Sequence, residues 1–326
     1  MKAAVLSRYG PPDVVQIKDV EKPVPKDNEV LIRIRAASVN PLDWHGMRGT
    51  PYIARMLGGL GKPKDPRLGV DVAGQVEAVG KNVTRFKPGD EVFGMCKGAL
   101  AQYACAVERG FMSALAMKSE HVTFEQAAAV PVAAFSALQG LRDKGKIQPG
   151  WRVLINGAAG GVGTFAVQIA KSFGADVTGV CSTRNVDMVQ SIGADRVIDY
   201  TVEDFTKSGP RYDLLLDCVG NHSLFACRRV IKPKGICVVV TGPDGPWLGP
   251  LARLLQALVL SWFVSQSLVP FIAKGSNEDL IFLNKLMEAG RVTPVIDKVY
   301  RLSEAPEAIR YLEAGHARGK VVISVE

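Results

Sequence analysis

Val153-Leu154-Ile155-Asn156-Gly157-Ala158-Ala159-Gly160-Gly161-Val162-Gly163 is a short apolar run that empties into a glycine-rich turn. Beyond it, Val162, Phe165, Ala166, Ile169, Ala170 and Phe173 recur at helical spacing and predict a helix over 164–173 that stops at Gly174. Strand, turn and helix in that order frame the pattern A-x-G-x-x-G. The glycines let the backbone turn tightly and approach a pyrophosphate, and the helix start offers N–H groups and a partial positive charge. Glycine-rich turns are common, but this strand-and-helix context marks a dinucleotide site at Ala159, Gly160, Gly161, Val162 and Gly163.

The end of the next strand reads on the cofactor's ribose. An Asp or Glu about 20 residues beyond the turn would hold a free 2′-hydroxyl. Here the chain has Cys181-Ser182-Thr183-Arg184-Asn185. Two hydroxyls and a guanidinium suit a 2′-phosphate, so Ser182, Thr183 and Arg184 point to NADPH. The alternative for Arg184 is a solvated helix start.

Further strands are expected at 177–181, 197–200, 214–217 and 236–240, with a helix at 186–192. Continuous apolar strands separated by helices imply a parallel sheet covered on both faces. Residues 1–122 read as mostly β. Strands are expected at 30–35, 70–80 and 91–94, the last after the turn Lys87-Pro88-Gly89-Asp90. The stretch 49–69, with glycines at 49, 58, 59, 61 and 69 and prolines at 51, 63 and 66, predicts a long mobile loop of the kind that forms lids. An apolar helical stretch over 124–141 is interrupted by Pro131. The tail predicts helices at 280–289 and 305–313, and strands near 295–296 and at 320–325.

Residues 248–272 are strongly apolar, but Arg253, Gln256, Ser261, Ser265, Gln266 and Pro270 break any run of about 20 residues that could span a bilayer. The favoured reading is a pocket-lining helix and an edge strand that pairs across a homodimer. Peripheral membrane contact is the less favoured reading.

The net charge is +8, from 40 basic against 32 acidic residues, but the cations are scattered and not interleaved with aromatics, which argues against nucleic-acid binding. The N-terminal apolar run is too short for a signal peptide and reads as a strand. The six cysteines, at 96, 105, 181, 218, 227 and 237, form no C-x-x-C and have no His at zinc spacing. Free thiols in a reducing compartment are the favoured reading, hence a cytoplasmic location.

Ser38-Val39-Asn40-Pro41-Leu42-Asp43, Gly69-Val70-Asp71-Val72-Ala73-Gly74 and Phe86-Lys87-Pro88-Gly89-Asp90-Glu91-Val92 join the glycine turn in a wider pattern. So do Gly193-Ala194-Asp195, Val197-Ile198-Asp199-Tyr200 and the ending Gly315-His316-Ala317-Arg318-Gly319-Lys320-Val321-Val322. Over nearly its whole length the chain resembles the medium-chain dehydrogenases/reductases, in their zinc-independent quinone oxidoreductase (zeta-crystallin-like) branch. The resemblance implies an α/β protein with a Rossmann doubly wound parallel sheet and a GroES-like, mostly β catalytic domain. The domains would be 1–122 (GroES-like), 123–273 (Rossmann, NADPH-binding) and 274–326 (return to the catalytic domain), with the active site in the cleft. Zinc-bearing relatives have Cys at the position of Asn40 and His at that of Val70. An amide and a valine are no zinc ligand set, so no metal is expected.

Without a Lewis acid, simple alcohol oxidation loses its main alkoxide stabiliser. Quinones and α,β-unsaturated carbonyls suit such a site, because charge spreads onto a distal oxygen that hydrogen bonds can stabilise. On this reading Asn40 donates to the carbonyl or orients the cofactor, Asp43 fixes the loop or the nicotinamide ribose, and Tyr52 gives the proton. Their structural alternatives are a turn cap, a helix N-cap and a surface aromatic. The resemblance also puts Ser136 near the nicotinamide, Tyr200 beside the 2′-phosphate, and Phe271 and Ile272 at the nicotinamide amide through their backbone. Cys218, Val219 and Thr241 end sheet strands, where open α/β sheets bind ligands. His121, His222 and His316 read as structural or exposed, and His45 has no supported role. The competing class is an NADPH-bound adaptor or membrane-surface protein that has lost catalysis.

Overall fold

The computed structural model describes residues 1–110, 112–207, 209, 211–241 and 250–325. Along the chain come β1 (Lys2–Leu6), β2 (Val15–Asp19), β3 (Glu29–Val39), α1 (Pro41–Arg48), α2 (Arg55–Gly58), β4 (Asp71–Val79) and β5 (Glu91–Met95). Next are β6 (Tyr103–Val107), β7 (Arg109–Gly110), β8 (Ser113–Met117), α3 (Phe124–Ala128), α4 (Pro131–Leu138) and a π-helical turn, Gln139–Lys144. Then follow β9 (Arg152–Asn156), α5 (Gly161–Ser172), β10 (Asp176–Cys181), α6 (Val186–Ser191), β11 (Arg196–Asp199), β12 (Tyr212–Asp217), α7 (Leu224–Arg229) and β13 (Ile231–Val239). The chain ends with α8 (Pro250–Ser261), β14 (Ser267–Pro270), α9 (Asn277–Glu288), β15 (Ile296–Arg301), α10 (Ala305–Glu313) and β16 (Lys320–Ser324).

The chain divides into two compact units, Met1–Phe135 with Lys274–Gly290 and Pro294–Glu326, and Ser136–Ala273 with Arg291–Thr293. Residues 123–135, which the sequence pattern assigns to the dinucleotide-binding domain, group with the first unit. That unit is the GroES-like one. Its main sheet runs β15-β16-β3-β4-β5-β8-β7, with β6 also on β3, and is antiparallel except where β15 meets β16. β3 lies at its centre because Val30, Ile32, Ile34, Ala36 and Ala37 are all buried.

The second unit carries a six-stranded parallel sheet in the order β11-β10-β9-β12-β13-β14. This is the Rossmann order, and its direction reverses between β9 and β12, the point at which such sheets bind ligands. Val153, Leu154 and Ile155 of β9 are fully buried, as a strand covered on both faces requires.

Two expectations need correction. The 49–69 stretch is not one irregular loop. A 3₁₀ turn at Tyr52–Ala54 runs into α2, and the guanidinium of Arg55 lies over the rings of Tyr9 and Tyr52, at 4.5 and 4.6 Å. Arg55 also donates to the carbonyls of Gly49 and Arg48, fastening the stretch to the end of α1. Local glycine content hid a fastening that comes from a side chain. Also, 124–141 is two short helices and part of a π-helical turn rather than one interrupted helix. The apolar 248–272 segment does give a helix and an edge strand, α8 and β14. Trp247, Leu248 and Gly242 lie outside the described residues. Among the described residues no helix is long and apolar enough to cross a membrane.

Candidate functional site

β9 ends at Asn156, and the chain turns through Gly157 at φ +83°. Gly160 caps α5 with extended backbone, and the first bond back along the helix is Thr164 N–H to Gly160 C=O at 2.9 Å. The N–H groups of Gly161, Val162 and Gly163 therefore have no acceptor within the helix, and no acid lies in its first turn. The glycines divide the work. A Cβ on Gly163 would lie 2.0 Å from the Gly157 carbonyl oxygen, so this position serves packing of helix against turn. A Cβ on Gly160 would meet nothing closer than 3.5 Å. Bare backbone there leaves room for a ligand, which is the fit a pyrophosphate needs.

At the end of β10, Ser182 precedes a 3₁₀ turn, Thr183–Asn185, and Asn185 donates to the Ser182 hydroxyl at 3.1 Å. Arg184 and Tyr200 are exposed beside it. The sequence reading missed Asp199. Parallel register pairs it with Cys181, and it accepts from the N–H and hydroxyl of Thr201 at 2.9 and 2.8 Å. The Thr183 hydroxyl also donates to Asp199, the largest of the effects that hold its carboxyl below the usual range. A carboxylate thus stands one strand away from the place where the sequence offers only hydroxyls and a guanidinium.

Between the ends of β12 and α7 lie Cys218 and Val219, and a Cβ on Gly157 would strike Val219 Cγ2 at 2.5 Å, so the turns after β9 and β12 touch. Burial pushes the Cys218 thiol up. Thr241 follows β13, and Ser136 is buried on α4. The Phe271 N–H donates to the Val239 carbonyl at 3.3 Å, and Ile272 is exposed. Beneath these turns Asp217 and Arg253 form a buried ion pair at 2.6 Å. The sequence offered one signal for it. Arg253 is the sole charged residue between Pro250 and Ala273.

In the first unit, Asn40 and Asp43 come together at the start of α1. The Asp43 carboxylate accepts the Asn40 N–H at 2.7 Å, the acidic half of a capping box. The Asn40 side chain is buried. Its Nδ2 donates to Asp71 at 2.8 Å and its Oδ1 accepts from Lys320 Nζ at 2.6 Å, which fixes the amide's orientation. Asp71 also takes the Ser38 hydroxyl at 2.8 Å and the Val132 N–H at 3.0 Å, and Lys320 lies 3.4 Å away. Burial lowers the Lys320 pKa against the pull of Asp71 and Asp43. The sequence reading gives Asp71 and Lys320 no role; their one signal is a charge directly before valine at the start of a strand. Tyr52 is not part of this cluster. It is 40% exposed, with its ring on Arg55.

Of the histidines, His45 stacks on Trp44 and His222 lies edge-on to Phe205. The six cysteines are free thiols, and burial is the main effect pushing Cys96 up to about 12 and Cys105 to about 11. Among the described residues no three His, Cys, Asp or Glu side chains gather as a metal site.

Residues 26–134 match the family model of the alcohol dehydrogenase GroES-like domain, and 192–323 that of the zinc-binding dehydrogenases. The 2-methylene-furan-3-one reductase of Solanum lycopersicum is 35% identical over 99% of this chain and 79% of its own. The mitochondrial NAD(P)H oxidoreductase RTN4IP1 of Mus musculus is 34% identical over 100% and 89%. The solved quinone oxidoreductase of Coxiella burnetii superposes with a TM-score of 0.88 at 31% identity, covering 100% of this chain and 99% of that one. Fold, glycine turn and these likenesses agree: the chain is an oxidoreductase and belongs to the quinone oxidoreductase branch of the medium-chain dehydrogenase/reductase family.

Proposed function

We propose that this chain is an NADPH-dependent reductase that delivers hydride to quinones or α,β-unsaturated carbonyls without zinc. The observation that carries the reading is the turn at the β9–β12 switch point, with three helix-start N–H groups facing a backbone left bare at Gly160. Two relatives' names support the acceptor class, one naming an exocyclic enone and the other a quinone.

Bound nicotinamide supplies the hydride. The start of α5 holds the pyrophosphate by N–H groups and dipole. Arg184, with Ser182, Thr183 and Tyr200, receives the 2′-phosphate. Ser136, Cys218, Val219, Thr241, Phe271 and Ile272 line the remainder of the cofactor site. On the acceptor, charge develops on an oxygen distant from the carbon attacked, so a donor and a proton suffice. Tyr52 supplies the proton; Asn40, with one amide hydrogen beyond that given to Asp71, donates to the oxygen. Asp43 holds the backbone that presents Asn40. Lys320 Nζ, 2.6 Å from Asn40 Oδ1, already occupies the amide oxygen that a metal ion would need as a ligand.

The test follows NADPH oxidation with a panel of quinones and one of short enals. Turnover on either supports the reading. A second reading, a cofactor-bound adaptor or membrane-surface protein without turnover, rests on the exposed apolar residues Leu255, Leu258 and Val259 of α8, and silence on both panels would favour it. Arg184→Ala should raise the KM for NADPH about 10-fold or more and leave that for NADH unchanged. Equal use of NADH and NADPH by both proteins would reverse the cofactor assignment. Metal analysis should find no stoichiometric zinc. We further propose a homodimer with no nucleic-acid partner, located in the cytoplasm, where free thiols persist.

A further inference from the structure

A buried ion pair is a weak source of stability, because desolvation offsets much of its attraction. Arg253 and Asp217 are 5% and 0% exposed, and Arg253 is the one charge in an apolar helix. The pair's contacts suggest what it is for. Arg253 Nη2 donates to Asp217 Oδ2 at 2.6 Å, and Nη1 to the His222 carbonyl at 2.6 Å. The other carboxylate oxygen, Oδ1, accepts from Asn156 Nδ2 at 2.9 Å, Gly220 N–H at 3.0 Å and Val219 N–H at 3.4 Å. Asn156 Nδ2 also donates to Asn221 Oδ1 at 2.9 Å.

The turn 217–222 is therefore held at its start, middle and end: the Val219 and Gly220 N–H groups tie to the Asp217 carboxylate, and Asp217, Asn221 and His222 tie to Arg253 or Asn156. Asn156 is the last residue of β9, immediately before Gly157, whose missing Cβ makes room for Val219. The relative placement of the turns that flank the switch point thus depends on a guanidinium reaching in from α8. We propose that Arg253 is a positioning residue for the dinucleotide: through Asp217 it sets the Cys218–Val219–Gly220 turn against the glycine turn before any ligand arrives. This rests on the cofactor reading above. Its physical basis is the planar fork of arginine, which bonds two acceptors at fixed spacing; a lysine ammonium is a single point on a flexible stem and cannot hold both.

The test uses the full chain. Arg253→Lys keeps the charge that Asp217 needs, so its urea midpoint should stay near that of the wild type. Its Kd and KM for NADPH should rise about tenfold with kcat within about twofold, because the competent turn is populated only part of the time. The double variant Arg253→Met with Asp217→Asn removes both charges and should show the same weakening. In the ligand-free wild type, the Val219 and Gly220 amides should exchange slowly with solvent. A folded variant that binds NADPH like the wild type overturns the proposal, and so does free exchange of those two amides. Failure of the wild type to bind either NADPH or NADH sinks the cofactor reading instead, and the exchange result is independent of it.

Discussion

At Asp43 burial outweighs hydrogen bonding. Burial pushes its carboxyl up to about 7, against hydrogen bonds from the Asn40 and Gly69 backbones and the charge of Lys320, and with the help of Asp71. An unfolded Asp titrates near 3.9. From about pH 4 to about pH 7 the folded chain therefore holds a proton that the unfolded chain has lost, and this contribution to stability falls as pH rises through that window. The gap corresponds to at most about 4 kcal/mol. Asp43→Asn keeps an acceptor for the Asn40 N–H and cannot ionise. Denaturant unfolding at pH 5 and pH 8 should show the wild type losing more stability than the variant between the two; an equal or smaller loss would mean that Asp43 is charged throughout. None of this was legible at residue level, since Asp43 reads equally well as a cap, and only its enclosure beside Asp71 and Lys320 decides its charge.

The β9–turn–α5 element makes two separate demands on glycine. Gly160→Ala adds a methyl at an ordinary contact distance, 3.5 Å from the Gly157 carbonyl oxygen, at φ −83°, where alanine is unstrained. That variant should melt close to the wild type yet bind NADPH about tenfold more weakly, its new methyl standing where the phosphates approach. Gly163→Ala drives a Cβ to 2.0 Å from a carbonyl oxygen and should lose on the order of 1–3 kcal/mol of stability before any ligand is considered. Thermal melts beside NADPH titrations separate the two, and a Gly160→Ala chain that binds normally would remove the phosphate from this turn. The element itself was readable in advance, because a short apolar run, a glycine cluster and a 3.6-residue period are all local signals. The stretch after Gly49 was not, because its order comes from the Arg55 side chain bridging Tyr9 and Tyr52.

For the whole molecule, α8 is turned so that its one cation faces in. Leu255, Leu258 and Val259 form its exposed face, and Trp262 and Phe263, just past its end and before the edge strand β14, are 85% and 77% exposed. An apolar stripe beside an open sheet edge invites association. Sedimentation should find the wild type dimeric at micromolar concentration, and Trp262→Ser with Phe263→Ser should shift it toward monomer; a wild type that stays monomeric contradicts the homodimer. By itself the sequence determined the two architectures, the parallel order of the second unit and the glycine turn. These follow from backbone preferences and hydrophobic periods that act over a few residues. Tertiary structure alone decided which charges lie inside. Lys320 meets Asn40 across 280 positions of chain, and Arg253 meets Asp217 across 36. A buried charge is tolerated only where the fold brings it a partner, and no local pattern records where that partner will come from.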